Sequence, residues 1–201
     1  EEDRVKEFVI FTSVDSWGAQ AEYIRNGLEF NRFWDNCHKV LEKCPKVILT
    51  YMVTYNALSV PNYDKLIRGV YDLKTQYGSD DRYWNSATFL DTSYLRHPKH
   101  QTVQVLEPHW AEKIYQDAQL VDFLGVPLFE KEYIGYSDVE IQKLKRTFDW
   151  MKSPIPEKQL ETQRRNFGYY FRAHDERRGT DFCATFPELE EFYRKCLEIK
   201  I

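Results

Sequence analysis

Six polar residues stand where strand-like runs give way to turns. Ser13 and Asp15 follow the run EFVIFT, Thr54 and Asn56 close VILTYMVTY, and Asp91 and Thr92 follow a weaker third run. In a parallel sheet these positions share the carboxyl edge, where ligands are bound, so a hydroxyl, carboxylates and an amide would be gathered there to hydrogen-bond a polar molecule. Two of them also have an ordinary use: Asp15 suits a cap on the turn before Trp17, and Asn56 suits the turn chemistry of a strand exit. His97 and His100, with Asp91 nearby, have the residue types of a metal site but not its spacing, and Pro98 between them points to a solvent-exposed loop. The pairs Arg164-Arg165 and Arg177-Arg178 could meet a phosphate or carboxylate, but ion pairs with Glu161, Asp175 and Glu176 explain them more simply.

The cysteines are Cys37, Cys44, Cys183 and Cys196, too widely spaced for a cluster-binding loop such as CxxxCxxC. Cys37 and Cys44 fall in phase with Phe30, Phe33, Trp34, Val40 and Leu41 on one helical face, and Cys196 falls in phase with Phe192 and Tyr193. Both patterns read as small buried hydrophobes.

Three βα units must position the strand-end residues. The run from Glu7 to Val14 is nearly continuous and apolar, as in a strand buried on both faces, and a helix follows from about Leu28 to Lys43, closed by Pro45. Residues Val47 to Tyr55 form a second strand rich in β-branched and aromatic side chains, with a helix after Pro61. The third strand, about Ser86 to Leu90, leads to a helix opened by Pro108. Beyond residue 130 the character is helical. Ser137-x-x-Glu140 is a capping box, a helix runs from Glu157 to about Arg172, a charged loop follows at residues 174–179, and a last helix starts near Pro187.

Composition limits the partners. Lys plus Arg (28) against Asp plus Glu (32) gives a net charge of −4, so no global basic field draws the chain to nucleic acid or an anionic membrane. No apolar run reaches the length of a membrane span and the first residues are charged, which gives the expectation of a cytoplasmic protein. The aromatic share of 16% suits a core or pocket walls, and the 8 glycines argue against a glycine-rich phosphate loop.

The segment from Thr12 through Ser13-Val14-Asp15 to Arg25 resembles the fourth-strand region of radical S-adenosylmethionine enzymes. Gln20-Ala21-Glu22-Tyr23-Ile24-Arg25, Val53-Thr54-Tyr55-Asn56-Ala57-Leu58-Ser59-Val60, Asp175-Glu176-Arg177-Arg178-Gly179-Thr180-Asp181-Phe182 and Thr185-Phe186-Pro187-Glu188-Leu189 resemble the twitch-domain members of that superfamily. The resemblance covers nearly the whole chain. It implies an α/β fold in which residues 1–130 form the carboxyl-terminal half of a parallel (βα) TIM-type partial barrel and residues 131–201 a helical, twitch-like extension. It also implies S-adenosylmethionine as cofactor, with Ser13 and Arg25 meeting its carboxylate and ribose, Asp15 its ribose hydroxyls, and Asn56 its adenine or the substrate. A guanidinium is a planar bidentate partner for a carboxylate, which agrees with that role for Arg25. The family's CxxxCxxC loop is not in this sequence, so a [4Fe-4S] cluster is expected only with an amino-terminal half outside it, and this chain alone is not expected to turn over. The substrate, a peptide or a small molecule, is not specified. The competing expectation is a non-catalytic α/β binding or scaffold domain with a vestigial resemblance.

An apolar first strand without a preceding neighbour is a template for pairing between molecules. Self-association through that open sheet edge is therefore expected. Size-exclusion chromatography over a concentration series checks it, and a monomer at high concentration with a cooperative melt is the opposing result.

Overall fold

The computed structural model describes residues 8–78, 86–125 and 135–200. Three strands, β1 (Phe8–Ser13), β2 (Val47–Tyr55) and β3 (Thr88–Tyr94), form a parallel sheet in the order β1-β2-β3. Helices α1 (Gly18–Ile24) and α2 (Phe30–Lys43) lie between the first two strands, and α3 (Tyr63–Tyr77) between the second and third. The α/β class and the parallel arrangement follow the sequence reading. Among the described residues the sheet is open and has three strands, as a partial βα fold would have.

Leu49, Tyr51, Val53 and Tyr55 alternate onto one buried face of β2. There Tyr51 stacks on Trp34 of α2, and Tyr55 meets Tyr63 of α3 edge-on. Register with β3 puts Thr88, Leu90 and Thr92 on the same face, where Tyr63 Oη lies 2.5 Å from Thr92 Oγ1. The opposite face is open only in part: Phe11 is 68% exposed and Met52 36%, whereas Ile48 and Thr50 on the same face are buried. The expectation that the first strand is buried on both faces therefore fails, because β1 is an edge strand among the described residues and no helix covers Phe11. Glu7 lies outside the described residues.

The third strand runs to Tyr94, four residues beyond its expected end. Asp91 and Thr92 are thus strand residues, and the β-forming Thr-Ser-Tyr run extends the ladder with β2. Short 3-10 turns at Lys99–Gln101 and Val103–Val105 then lead to α4 (Trp110–Phe123). The helical part comprises α5 (Asp138–Lys152), α6 (Glu157–Arg178), α7 (Phe182–Thr185) and α8 (Glu190–Glu198). Helix α6 is longer than expected and absorbs the charged segment read as a loop. Arg177 and Arg178 suit the negative end of the helix dipole, and Gly179 stops the helix in the left-handed conformation at φ 64°. Asp181 caps the short α7, which sequence reading missed, through a 3.0 Å bond from Ala184 N.

The expected boundary at residues 130 and 131 lies outside the described residues, yet one continuous core runs from Val14 to Cys196 across both segments. Its junction is polar. Lys74 of α3 and Glu140 of α5, each with only 2% of its side chain exposed, form an ion pair at 3.1 Å. Lys74 Nζ donates to Thr88 O at 2.7 Å, and Glu140 Oε1 accepts from Leu90 N at 2.7 Å. Both backbone groups belong to the edge of β3 that faces away from β2. Glu140 Oε2 also completes the capping box by accepting from Ser137 N and Ser137 Oγ. One carboxylate thus caps a helix, neutralises a buried lysine and occupies a strand edge. No helix among the described residues is long and apolar enough to cross a membrane.

Removing one partner of a buried pair leaves the other uncompensated, at a cost of about 3–5 kcal/mol. Glu140→Ala should lose stability on that scale in urea unfolding. Val139→Ala, one residue away and exposed, should stay within about 0.5 kcal/mol of the parent.

Candidate functional site

Strand register places Ser13 beside Met52 and Met52 beside Asp91, so these three side chains form one row across the open face. Asp15 and Asn56 lie just past it at the carboxyl ends of β1 and β2. Ser13, Asp15 and Asn56 are thus at the carboxyl end of the sheet, as parallel strands require, while Asp91 sits in the Ser13 row but three residues before the end of β3.

Asp15 is 3% exposed and ties the first two units together. Its Oδ1 accepts from Thr54 N at 2.7 Å and from Arg25 Nη2 at 3.1 Å, and Arg25 Nε lies 2.8 Å from its Oδ2. Burial raises the pKa of Asp15, and the Arg25 hydrogen bond, the Arg25 charge and the Thr54 N–H oppose that shift. Arg25 turns its Nε and Nη2 edge toward Asp15, with Nη2 hydrogen-bonded and Nε buried in the ion pair without a hydrogen bond. Its side chain is 33% exposed, and among the described residues no partner meets Nη1. A second carboxylate can dock there. Ser13 is exposed at the end of β1.

Asn56 is absorbed into its own turn. Oδ1 accepts from Leu58 N at 2.9 Å, Nδ2 donates to Thr54 O at 2.9 Å, and its backbone N–H donates to Ser59 Oγ at 3.1 Å. This is the side-chain turn that Asn forms in strand exits. Its amide is therefore committed to holding the loop in which any ligand would sit.

Asp91 pairs with Lys143 of α5, whose ammonium also lies over the Phe89 ring. Sequence reading missed Lys143, although it stands three residues after the capping-box glutamate and so shares its helix face. Reading also missed a cluster under the end of β2. Lys113 of α4 bridges Asp117 at 2.5 Å and Asp64 of α3 at 3.0 Å, while Tyr55 Oη and Asp117 Oδ2 are buried without a hydrogen-bond partner. Burial pushes Asp117 up to about 7, Lys113 pulls it down, and Asp64 adds to the rise.

The cysteines do not converge. Cys37 is buried in α2, Cys44 is exposed at the end of that helix instead of joining its apolar face, and Cys183 and Cys196 sit on α7 and α8. Burial pushes the Cys196 thiol up to about 12 and raises that of Cys37. Cysteines dispersed over separate helices do not fit a cubane, which needs gathered thiolates. Among the described residues no three His, Cys, Asp or Glu side chains could hold a metal ion together. His100 instead packs at 4.9 Å on the Tyr170 ring, and burial lowers its pKa. Arg164 donates to the carbonyls of Val105 and Leu106 rather than pairing with Glu161.

No protein-family model, curated protein or solved structure matches this chain. Geometry and chemistry therefore carry the functional argument.

Asp117 gives the site a pH signature. Its folded-state pKa of about 7 exceeds its ordinary value of 3.8, so the folded chain keeps a proton that the unfolded chain has released. The stability linked to this group is complete below about pH 4 and is lost as pH rises through 7, with a slope of at most about 1.4 kcal/mol per pH unit. Asp117→Asn should remove that slope from urea midpoints measured between pH 4.5 and 7.5.

Proposed function

We propose that the chain is part of a radical S-adenosylmethionine enzyme, and that its sheet edge supplies part of the pocket for that cofactor. The observation that carries the reading is the Asp15–Arg25 pair. It presents one edge of a guanidinium at the carboxyl end of parallel strands, the end at which Ser13 is exposed two residues before Asp15. When bound, S-adenosylmethionine supplies a 5′-deoxyadenosyl radical after reductive cleavage. The residues here bind and orient. Arg25 Nη1 and Nη2 pair with the methionyl carboxylate, Ser13 Oγ adds a hydrogen bond, and Asp15 fixes the guanidinium plane. Asn56 shapes the β2 exit loop. The cysteines of this chain do not fit the [4Fe-4S] cluster, so no step is assigned to it here, and its ligands would come from an amino-terminal half. The substrate, a peptide or a small molecule, would meet the open face that carries Phe11, Met52 and the Asp91–Lys143 pair.

A second reading, a non-catalytic α/β binding or scaffold domain, is favoured by one observation: Asp15 and Asn56 are fully engaged in holding loops. A strand-end constellation that only stabilises turns needs no ligand.

Calorimetric titration with S-adenosylmethionine separates the two. The cofactor reading expects saturable binding with a Kd of about 1 mM or tighter, weakened roughly tenfold or more in Arg25→Ala. It also expects weakening in Arg25→Lys, which keeps the charge but loses the planar fork. No binding by the parent chain, or equal binding by all three proteins, would overturn it in favour of a scaffold.

A further inference from the structure

The segments Gln20 to Arg25 and Asp175 to Leu189 are separated by about 150 residues in sequence and meet in the fold. Their contacts concentrate on α1. This helix has seven residues, too few to persist alone, and no side chain caps its amino end. Gly18, its first residue, and Gly27, three residues past its end, have φ values of 58° and 86°, so both flanks lie in the left-handed region and neither is stiffened by a side chain. What holds α1 must therefore come from elsewhere in the fold.

Tyr23 Oη donates to Asp175 Oδ1 at 2.8 Å, and the Tyr23 ring lies 4.5 Å from the His174 ring and edge-on to Phe186 at 5.2 Å. One turn earlier, Gln20 Nε2 is 3.2 Å from both Thr185 O and Glu188 Oε2. Asp175 is itself locked. Its Oδ1 also accepts from Thr180 Oγ1 at 2.7 Å, its Oδ2 accepts from Phe182 N at 2.8 Å, and its carbonyl accepts the Gly179 N–H that closes α6. The turn from α6 to α7 is thus a preformed receptor for one phenol. Arg25 follows two residues after that phenol, with its N–H bonded to Ala21 O at 2.9 Å. Asp15, its partner, is placed independently by the sheet through Thr54 N.

We propose that Tyr23 and Asp175 are positioning residues. Their hydrogen bond clasps α1 to the end of α6 and so holds the Arg25 guanidinium in the plane that meets Asp15 and leaves Nη1 open to a carboxylate ligand. The inference rests on the reading of Arg25 given above. It deepens that reading by making the end of α6 and the turn into α7, which bond Tyr23 rather than Arg25 or Asp15, determinants of ligand affinity. A purely structural role would predict that loosening the clasp lowers stability and leaves the Arg25–Asp15 geometry unchanged.

The test uses the full chain labelled with nitrogen-15. Hydrogen exchange is read at Arg25 Nε–H, which is buried 2.8 Å from Asp15 Oδ2 without a hydrogen bond of its own, and at Thr54 N–H, which donates to Asp15 Oδ1, and S-adenosylmethionine affinity is read by calorimetry. Tyr23→Phe removes only the hydroxyl. Asp175→Asn keeps the shape, and Thr180→Val serves as a milder variant should Asp175→Asn unfold. Ile67→Val, in the core of α3, matches the loss of melting temperature without touching the clasp. The expected result is Arg25 Nε–H exchange roughly tenfold faster in Tyr23→Phe and in an Asp175 or Thr180 variant, but not in Ile67→Val. Unchanged exchange at Arg25 and Thr54 in folded Tyr23→Phe and in the Asp175 or Thr180 variant would overturn the proposal. If exchange responds while the parent chain binds no S-adenosylmethionine, the clasp is upheld and the cofactor reading falls. If the parent binds and Tyr23→Phe binds equally well with unchanged exchange, the cofactor reading stands and the clasp falls.

Discussion

The ion pair between Lys74 and Glu140 sets where the sheet ends. Two charges taken out of water are costly, and they persist in a core only when every remaining donor and acceptor is met. Here the remaining valences are met by the protein backbone: Thr88 O takes the ammonium, while Leu90 N, Ser137 N and the Ser137 hydroxyl donate to the carboxylate. The outer edge of β3 is thereby filled by side chains at the two groups where a fourth strand would have to pair. Helix α5 takes its position from the same contact, α4 packs against α5, and the Gln104 to Ser153 bond fixes the turn before α6, which itself packs on α8 and the 3-10 turns after β3.

That closure makes the sheet asymmetric. At β3 the backbone is capped and covered. At β1, Phe8 and Phe11 are exposed and the described strand carries no charged residue, so one edge discourages pairing and the other does not. The faces differ in the same way, with α2 and α3 over one, while on the other Ser13 and Met52 are exposed and Asp91 is met only by Lys143 of α5. A sheet closed on one side and open on the other is suited to meeting something at its open side, whether a ligand, further strands or a second copy.

Much of the frame was legible in the sequence because it rests on local pattern. The strands at Phe8–Ser13 and Val47–Tyr55, helix α2, and the Ser137-to-Glu140 capping box all follow from periodicity or from capping chemistry acting within four residues. The misreadings come from tertiary partners. Asp91 and Thr92 look like turn residues, but Lys143 and Tyr63 make them strand residues. The charged segment His174 to Arg178 looks like a loop, but Tyr23 gives Asp175 a reason to be helical. The ligands of Asp15 are 10 and 39 residues away, so spacing points to a strand-end carboxylate and not to its occupation by Arg25 and Thr54. That Glu140 faces a buried lysine 66 residues earlier has no sequence signal at all.

The committed and uncommitted polar atoms at the strand ends divide the site into frame and contact. Asp15 spends its acceptors on Thr54 N–H and the Arg25 guanidinium, and Asn56 its carbonyl on Leu58 N–H, which fixes the loops but leaves them little to offer a ligand. Ser13 and the far edge of Arg25 remain open, and their open groups are donors. The complement of such an edge is an acceptor-rich anion, and a carboxylate docking on Nη1 would face Asp15 across the plane of one guanidinium. Burial disfavours the charge on Asp15, so Arg25 is needed there with or without a ligand, and under the proposed reading a ligand would find its guanidinium already oriented. The same cation thus completes the fold on one edge and is presented for recognition on the other, which is why its placement depends on contacts as distant as the end of α6.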